Sequence, residues 1–588
     1  MVLSEFDWFI VGMYFILSLV VGVWASRKAG KDTRSFFLAG RSMPWWLLGI
    51  SMVATTFSTD TPNLVTDLVR QNGVSGNWVW WSFLLTGMLT VFVYARLWRR
   101  SGVLTDIEFY ELRYSGKAAA FLRGFRALYL GMVFNVLVMG AVSLAAVKFG
   151  EIVLGWPGWL TLAIAGVITM TYSVLGGLKA IIITDFIQFF LAMIGSVWAM
   201  VYILGLEKVG GLSNLIIHPN VVDNLSLIPD MSDPDLWVPL LLVPLAVQWW
   251  ASYYPGSEPG GGGYIAQRMF SAKDEENAMG ATLLFNIAHY ALRPWPWILI
   301  ALSSLIIFPE LNDLKLAFPN LPEDKLGHDI ASPAMLTFLP SGLLGLVAAS
   351  LIAAYMSTMS TQLNLGASYL VNDFYHRFIR PNASQKELVR VGRLFTMISL
   401  ILGAGLGMIL SSAGQAFNLL LMIGAGTGLI YILRWFWWRI NAYTEIVAMF
   451  SSLFIAGYLN FVNTSLLGWE KIVIGALLTT VIWIIVTYVT PADDDETLKK
   501  FVNIVKPGGP GWKKFPIEGQ LEEHWDVPSG LVSMFFGCMV VYGFLLGMGQ
   551  LIYGKMGLAL ILFSITGISI IMLIKQFINR RVHGQQSH

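Results

Sequence analysis

Ser357, Thr358, Ser360, Thr361 and Asn364 all fall within the stretch AAYMSTMSTQLN, in the middle of a long apolar run. At about 100° per residue, Ala354, Ser357, Thr358, Thr361, Asn364 and Ser368 share roughly one third of a helix circumference, with Ser360 just beside them. Such an arc can serve two ends. Small hydroxyl residues let helices pack closely and bond back to carbonyls one turn earlier. Hydroxyl and carbonyl oxygens are also the ligands that a hard monovalent cation accepts. Asp185, in GGLKAIIITDFIQFF, is a second candidate, because a carboxylate inside an apolar segment needs a cation or a basic partner. Arg293 and His289, one turn apart in HYALRPWPW, are a third. A guanidinium there can hold a solute carboxylate in a fork, or pair with Asp60 or Glu258.

The elements that carry these residues are membrane spans. The chain has 588 residues, 56% of them hydrophobic and 13% charged, too little polar surface for a soluble protein. A single cysteine, Cys538, excludes disulfides within the chain and cysteine-based metal clusters. About fifteen stretches are long and apolar enough to cross a bilayer, near 7–25, 44–69, 76–97, 120–148, 157–177, 180–205, 236–264, 276–307, 335–375, 389–411, 414–434, 443–461, 471–491, 529–549 and 556–577. The opening MVLSEFDWFIVGMYF has no basic leader and no small-residue cleavage site, so it reads as a retained first span. Lysine and arginine concentrate on alternate loops, which puts the N-terminus outside and the C-terminus inside. Residues 492–528 read as a cytoplasmic linker with room for one short amphipathic helix.

Two spans carry internal breakers. The second contains SMVATTFSTDTPNLV and should unwind around residues 58 to 63, beside Pro62. The seventh contains YYPGSEPGGGGYIAQR, which no continuous helix survives. The breaks are five spans apart, an odd number, so the two segments run in opposite directions. Spans 2 to 6 and 7 to 11 are then candidates for an inverted repeat with a binding site at the breaks. Residues 237–254 are nearly long enough to cross alone, which would instead put the glycine tract in the inner vestibule. A sodium site between the ninth span and the interrupted second span fits both the break and the polar arc.

GRSMPWWLLGISMVATTFS, YSVLGGLKAIIITDFIQ, YIAQRMFSAK and AASLIAAYMSTMSTQLNLGASYLVNDFY resemble signature regions of the sodium/solute symporter family, in order over roughly residues 5 to 435. The resemblance implies an all-α polytopic membrane protein of the LeuT type, a five-plus-five inverted repeat with broken helices. It divides the chain into an extra first helix and loop (1–43), a first repeat (44–205), a second repeat (206–435) and additional C-terminal helices (436–588). It also implies a sodium site built from the carbonyls of Ala54, Phe57 and Ala354 with the hydroxyls of Ser357 and Thr358. A second sodium would use Asp185, Ser360 and Thr361, so one or two Na+ ions are expected. The activity implied is sodium-coupled import of a small polar solute by alternating access, at the plasma (cell inner) membrane.

The solute is less defined. The glutamine and glutamate with which sugar-transporting members hold hexoses fall at Thr61 and Trp80, which disfavours a simple hexose. Thr56, Ser58 and Thr61 resemble the hydroxyl row of acidic-sugar members, but their arginine on the fourth span is missing and Asn135 is the only polar residue nearby. Sugars, sugar acids, carboxylates and amino acids therefore stay open as partners, with the lipid bilayer and without nucleic acid. Trp80, Trp81, Trp249, Trp250, Tyr253 and Tyr254 could stack on a sugar, close a gate or simply pack. The seven histidines are scattered, which argues against an intramembrane enzyme. A sodium-dependent sensor and a proton-coupled symporter are the alternatives.

Overall fold

The computed structural model describes residues 3–29, 33–58, 60–251, 259–319, 321–411, 427–462, 465–516 and 525–586. These are helical, with no strand among the described residues beyond one isolated bridge between Met43 and Ala272. Ten described helices are long and apolar enough to cross a membrane. Shorter apolar helices lie at Trp45–Thr55, Gly158–Thr171 and Pro234–Ala246. Most of the predicted eleventh span lies outside the described residues, as do Tyr253, Tyr254 and Glu258.

The second span is two helices, Trp45–Thr55 and Asp60–Asn72, the inner and the outer respectively in the orientation that the lysine and arginine distribution predicts. Its break begins at Thr56, earlier than Pro62 suggested. Proline sits in the first turn of the outer helix, where its missing N–H would have had no partner anyway. The unwinding comes instead from side chains that compete for the backbone. Thr56 Oγ1 donates to the Val53 carbonyl at 2.9 Å, and Thr61 Oγ1 to the Thr56 carbonyl at 3.2 Å.

The seventh span is also broken. Short helical pieces run from Pro234–Trp237 to Gln248–Trp250, and helix resumes at Gly263–Ser271. Trp98 Nε1 donates to the Gly260 carbonyl at 2.7 Å, and the Gly263 N–H to Asp106 at 2.7 Å. The glycine tract thus packs on the last turns of the third span (Val74–Ser101), near its Arg99 and Arg100 end and away from its middle. Asp106 also accepts from Tyr369 of the ninth span at 2.6 Å, so one buried carboxylate fixes the start of helix Gly263–Ser271 against that span.

Spans 5 and 6 form one helical stretch, Gly158–Leu204, interrupted at Gly177. Gly177 has φ 56°, and a Cβ there would lie 2.8 Å from the Phe36 carbonyl, so only glycine fits. The ninth span starts at Leu343, later than its apolar run predicts, because residues 331–336 form a separate short helix. Asp7 of the first helix, Glu5–Ala29, accepts from the N–H groups of Gly342 and Gly345, both at 2.7 Å. In the linker, helix Asp495–Val505 buries Leu498, Phe501, Val502 and Val505. Its start is capped by Asp494, whose carboxyl is held below the usual carboxylate range by the Thr497 N–H.

A buried ion pair ties the far end of the fourth span (Gly116–Leu154) to the loop before the ninth. Lys148 Nζ lies 2.7 Å from Asp329 Oδ2, with both side chains almost wholly buried. Arg70, from the outer helix of the second span, reaches the same region. It donates to Phe308 O at 2.7 Å, Ser304 Oγ at 3.0 Å and His328 Nδ1 at 3.3 Å.

Candidate cation and solute site

The inner helix of the second span, the sixth span, the helix Gly263–Ser271 and the ninth span meet around one buried carboxylate. Asp185 is 0% exposed; one oxygen accepts from Ser357 Oγ at 2.6 Å and the other from Ser51 Oγ at 2.5 Å. The Arg268 guanidinium, also 0% exposed, stands 3.7 Å from the second oxygen. It donates to Thr361 Oγ1 at 2.8 Å and Gln267 Oε1 at 3.0 Å, and lies 3.3 Å from Ser51 Oγ and 3.4 Å from Thr55 Oγ1. Thr358 Oγ1 donates to the Thr55 carbonyl at 2.7 Å, where the inner helix ends. A positive charge is thus matched to one carboxylate at 3.7 Å, longer than a direct hydrogen bond, with hydroxyls and the Gln267 amide around the pair.

The residues of the two predicted ion sets share hydrogen-bond partners. Ser357, expected beside Ala54 and Phe57, bonds Asp185; Thr361, expected at Asp185, bonds Arg268. Ser360 donates to the Ser357 carbonyl at 3.0 Å, one turn back. Ala54 and Ala354 are both 2% exposed, and the Ala54 carbonyl accepts from the Phe57 N–H at 3.1 Å. The Phe57 ring stacks on Trp297 at 5.0 Å.

Ser51, Thr55, Gln267 and Arg268 were not singled out by sequence. Ser51 and Thr55 are a polar pair four residues apart on an apolar helix, a spacing that places both on one face. Arg268 was hidden by the glycines before it, which made QRMFSAK read as a loop; the helix that starts at Gly263 turns it inward.

Most of the predicted solute residues form a second group on the other side of Thr56. The Thr56 hydroxyl lies 3.0 Å from His289 Nδ1 and 3.1 Å from Arg293 Nη1. Arg293 Nη2 lies 3.3 Å from His289 Nε2, and its guanidinium covers the Trp297 ring at 5.3 Å. These contacts fit one proton arrangement. Arg293 donates to Nε2, a proton on Nδ1 points to Thr56 Oγ1, and the Thr56 hydroxyl donates to the Val53 carbonyl. Trp80 packs edge-on against His289 and parallel to Tyr290. Asp60 opens the outer helix of the second span, and Ser58 is buried in the break. Asn135 stands apart from this group, donating from Nδ2 to the Gln362 carbonyl at 2.8 Å.

Residues 36–453 match the sodium:solute symporter family, most of the chain and every residue of the two groups around Asp185 and Thr56. The chain belongs to that family. The symporter is 27% identical over 516 residues to the sodium/glucose cotransporter of Vibrio parahaemolyticus, covering 84% of this chain and 92% of that one. It is 30% identical over 444 residues to the sodium/myo-inositol cotransporter of Mus musculus, covering 68% and 58% respectively. Its fold resembles a solved Na+-coupled sialic acid symporter in a substrate-bound outward-open state. That likeness has a TM-score of 0.61 and 19% identity, over 84% of this chain and 99% of that one. The symporter is therefore a multi-pass membrane protein of a transporter family that couples sodium to the import of a solute.

Proposed function

We propose that the symporter carries a small polar organic solute by alternating access, with sodium bound between the break of the second span and the polar face of the ninth. The observation that carries this reading is the convergence of Asp185, Ser357, Thr358 and Thr361 on the inner end of that break. One ion is assigned to the carbonyls of Ala54, Phe57 and Ala354 with Ser357 and Thr358. A second is assigned to Asp185, Ser360 and Thr361. That second ion and the Arg268 guanidinium draw on the same carboxylate and the same threonine, so its binding requires Arg268 to withdraw. Arg268 belongs to the helix after the seventh-span break, and ion binding is thereby coupled to movement of that helix.

Two ions suit a concentrating transporter. Each inward charge yields about 2.3 kcal/mol per 100 mV, and a tenfold gradient adds about 1.4. Two sodium ions therefore supply roughly 7 kcal/mol, enough to concentrate a neutral solute on the order of 10⁵-fold, against a few hundred-fold for one. The solute would sit beside the break, between the Thr56, His289 and Arg293 group under Trp80 and the fourth span at Asn135. The sugar and myo-inositol cotransporters among the relatives support a sugar-like cargo. The two halves, 44–205 and 206–435, would act as the inverted repeats that exchange access.

The test is the reversal potential of solute-driven current in proteoliposomes at set sodium and solute gradients. Two ions per solute is the expected result; one ion removes the Asp185 site from the scheme.

A further inference from the structure

We propose that Gln362, with Asn135, is a solute-binding amide pair that selects an uncharged, hydroxyl-rich molecule. This rests on the symport reading above and names the class of its cargo.

Gln362 is 1% exposed, yet neither atom of its side-chain amide has a hydrogen-bond partner in the protein. Asn135, also 1% exposed, spends its Nδ2 on the Gln362 main-chain carbonyl and leaves Oδ1 without a partner. Buried amides are costly when left unpaired, and unpaired ones in native proteins mark a ligand, a water or a functional group. A Cβ at Gly366, one turn beyond Gln362, would lie 2.4 Å from Asn135 Nδ2, so the absence of a side chain there makes room for the asparagine. Asn135 lies midway along Gly116–Leu154 and Gln362 midway along Leu343–Ile379, the depth expected of a transported molecule.

Helix geometry relates the pair to the ion site. Gln362 follows Thr358 by one turn, and the Thr358 hydroxyl holds the end of the second span's inner helix. Gln362 thus rises from the strip of the ninth span between that break and the fourth span. In the break itself, Ser58 is 2% exposed and its hydroxyl also has no partner in the protein.

The chemistry of these groups defines the ligand. Gln362 offers two N–H donors and a carbonyl acceptor, Asn135 adds an acceptor, and Ser58 can do either. Each hydroxyl of a polyol donates once and accepts up to twice, which this mixed set satisfies. The three carry no charge to balance a carboxylate or an ammonium, and Arg293 across the break is already engaged by Thr56, His289 and the Trp297 ring.

The experiment compares purified wild type with Gln362→Leu and Gln362→Glu. Thermal shift and proteoliposome uptake are measured with myo-inositol and mannose against glucuronate and alanine, in sodium and in potassium. The expected result is a sodium-dependent stabilisation by a neutral polyol, weakened at least about tenfold in both variants. The stabilisation by sodium alone should persist in Gln362→Leu, which reports that the variant is folded. Wild-type polyol affinity in Gln362→Leu would overturn the proposal, because the amide would then hold only water. Stabilisation by glucuronate or alanine alone would overturn it as well. A polyol that binds equally in potassium, and is lost in Gln362→Leu, would contradict sodium coupling while leaving the amide assignment standing.

Discussion

Two buried acid–base pairs in the symporter are built in opposite ways. Lys148 and Asp329 touch directly at 2.7 Å, joining the far end of the fourth span to the loop before the ninth. Asp185 and Arg268 stand 3.7 Å apart, and Ser51, Ser357, Thr55, Thr361 and the Gln267 amide surround them with hydrogen bonds. A direct pair is a fastening, since removing either partner strands the other charge in a low-dielectric interior. A pair held through hydroxyls can exchange its cation, because each hydroxyl that serves the guanidinium can present an oxygen to a metal ion. The first pair joins elements; in the proposed scheme the second is rewritten by a ligand.

The largest effects come from breaking either pair on one side. Asp185→Ala should abolish sodium-driven uptake and cost about 3–5 kcal/mol of stability by leaving Arg268 buried without its anion. Uptake together with a melting curve checks both. Lys148→Met should cost a similar amount of stability, but Lys148→Met with Asp329→Leu should recover most of it and restore folded protein. The corresponding double variant of the other pair, Asp185→Asn with Arg268→Met, should fold and yet fail to couple. Equal recovery of uptake by both doubles would erase the distinction between the two pairs.

Ser357→Ala comes next. A hydrogen bond to a charged group contributes about 1.5–3 kcal/mol, so half-saturation by sodium should rise about tenfold or more, measured as uptake against sodium concentration. Thr56→Val removes the shared acceptor of Arg293 and His289 and should act on the solute alone. An effect of about 1–2 kcal/mol on solute affinity with unchanged sodium dependence is expected. Ser360→Ala is the smallest, because its hydroxyl bonds back to Ser357 within the same helix; it should shift the sodium Hill coefficient more than the maximal rate.

The polar arc of the ninth span and the break of the second were legible because hydroxyls in an apolar segment have few uses. Their exact partners were not, for physical reasons. Thr358 finds a carbonyl on another span, while Ser357 and Thr361, on the same arc, point to opposite charges. Whether an exposed-looking arginine such as Arg268 turns inward depends on where helix resumes after a glycine tract, and composition alone does not fix that residue. The proline at 62 misled by the same token, since it is compatible with a first turn as well as with a break. The Lys148–Asp329 pair was invisible because Lys148 closes an apolar span and Asp329 lies in a mixed loop far along the chain. Gln362 sat unremarked inside the quoted motif, because its significance lies in the partners it lacks.

The central claim is that sodium and the Arg268 guanidinium draw on the same oxygens. Equilibrium sodium binding to purified Arg268→Met, compared with wild type without solute, tests it most directly. Freed of its competitor, Asp185 should bind sodium at least about tenfold more tightly, a gain of about 1.4 kcal/mol. Unchanged or weaker sodium binding in that variant would contradict the account.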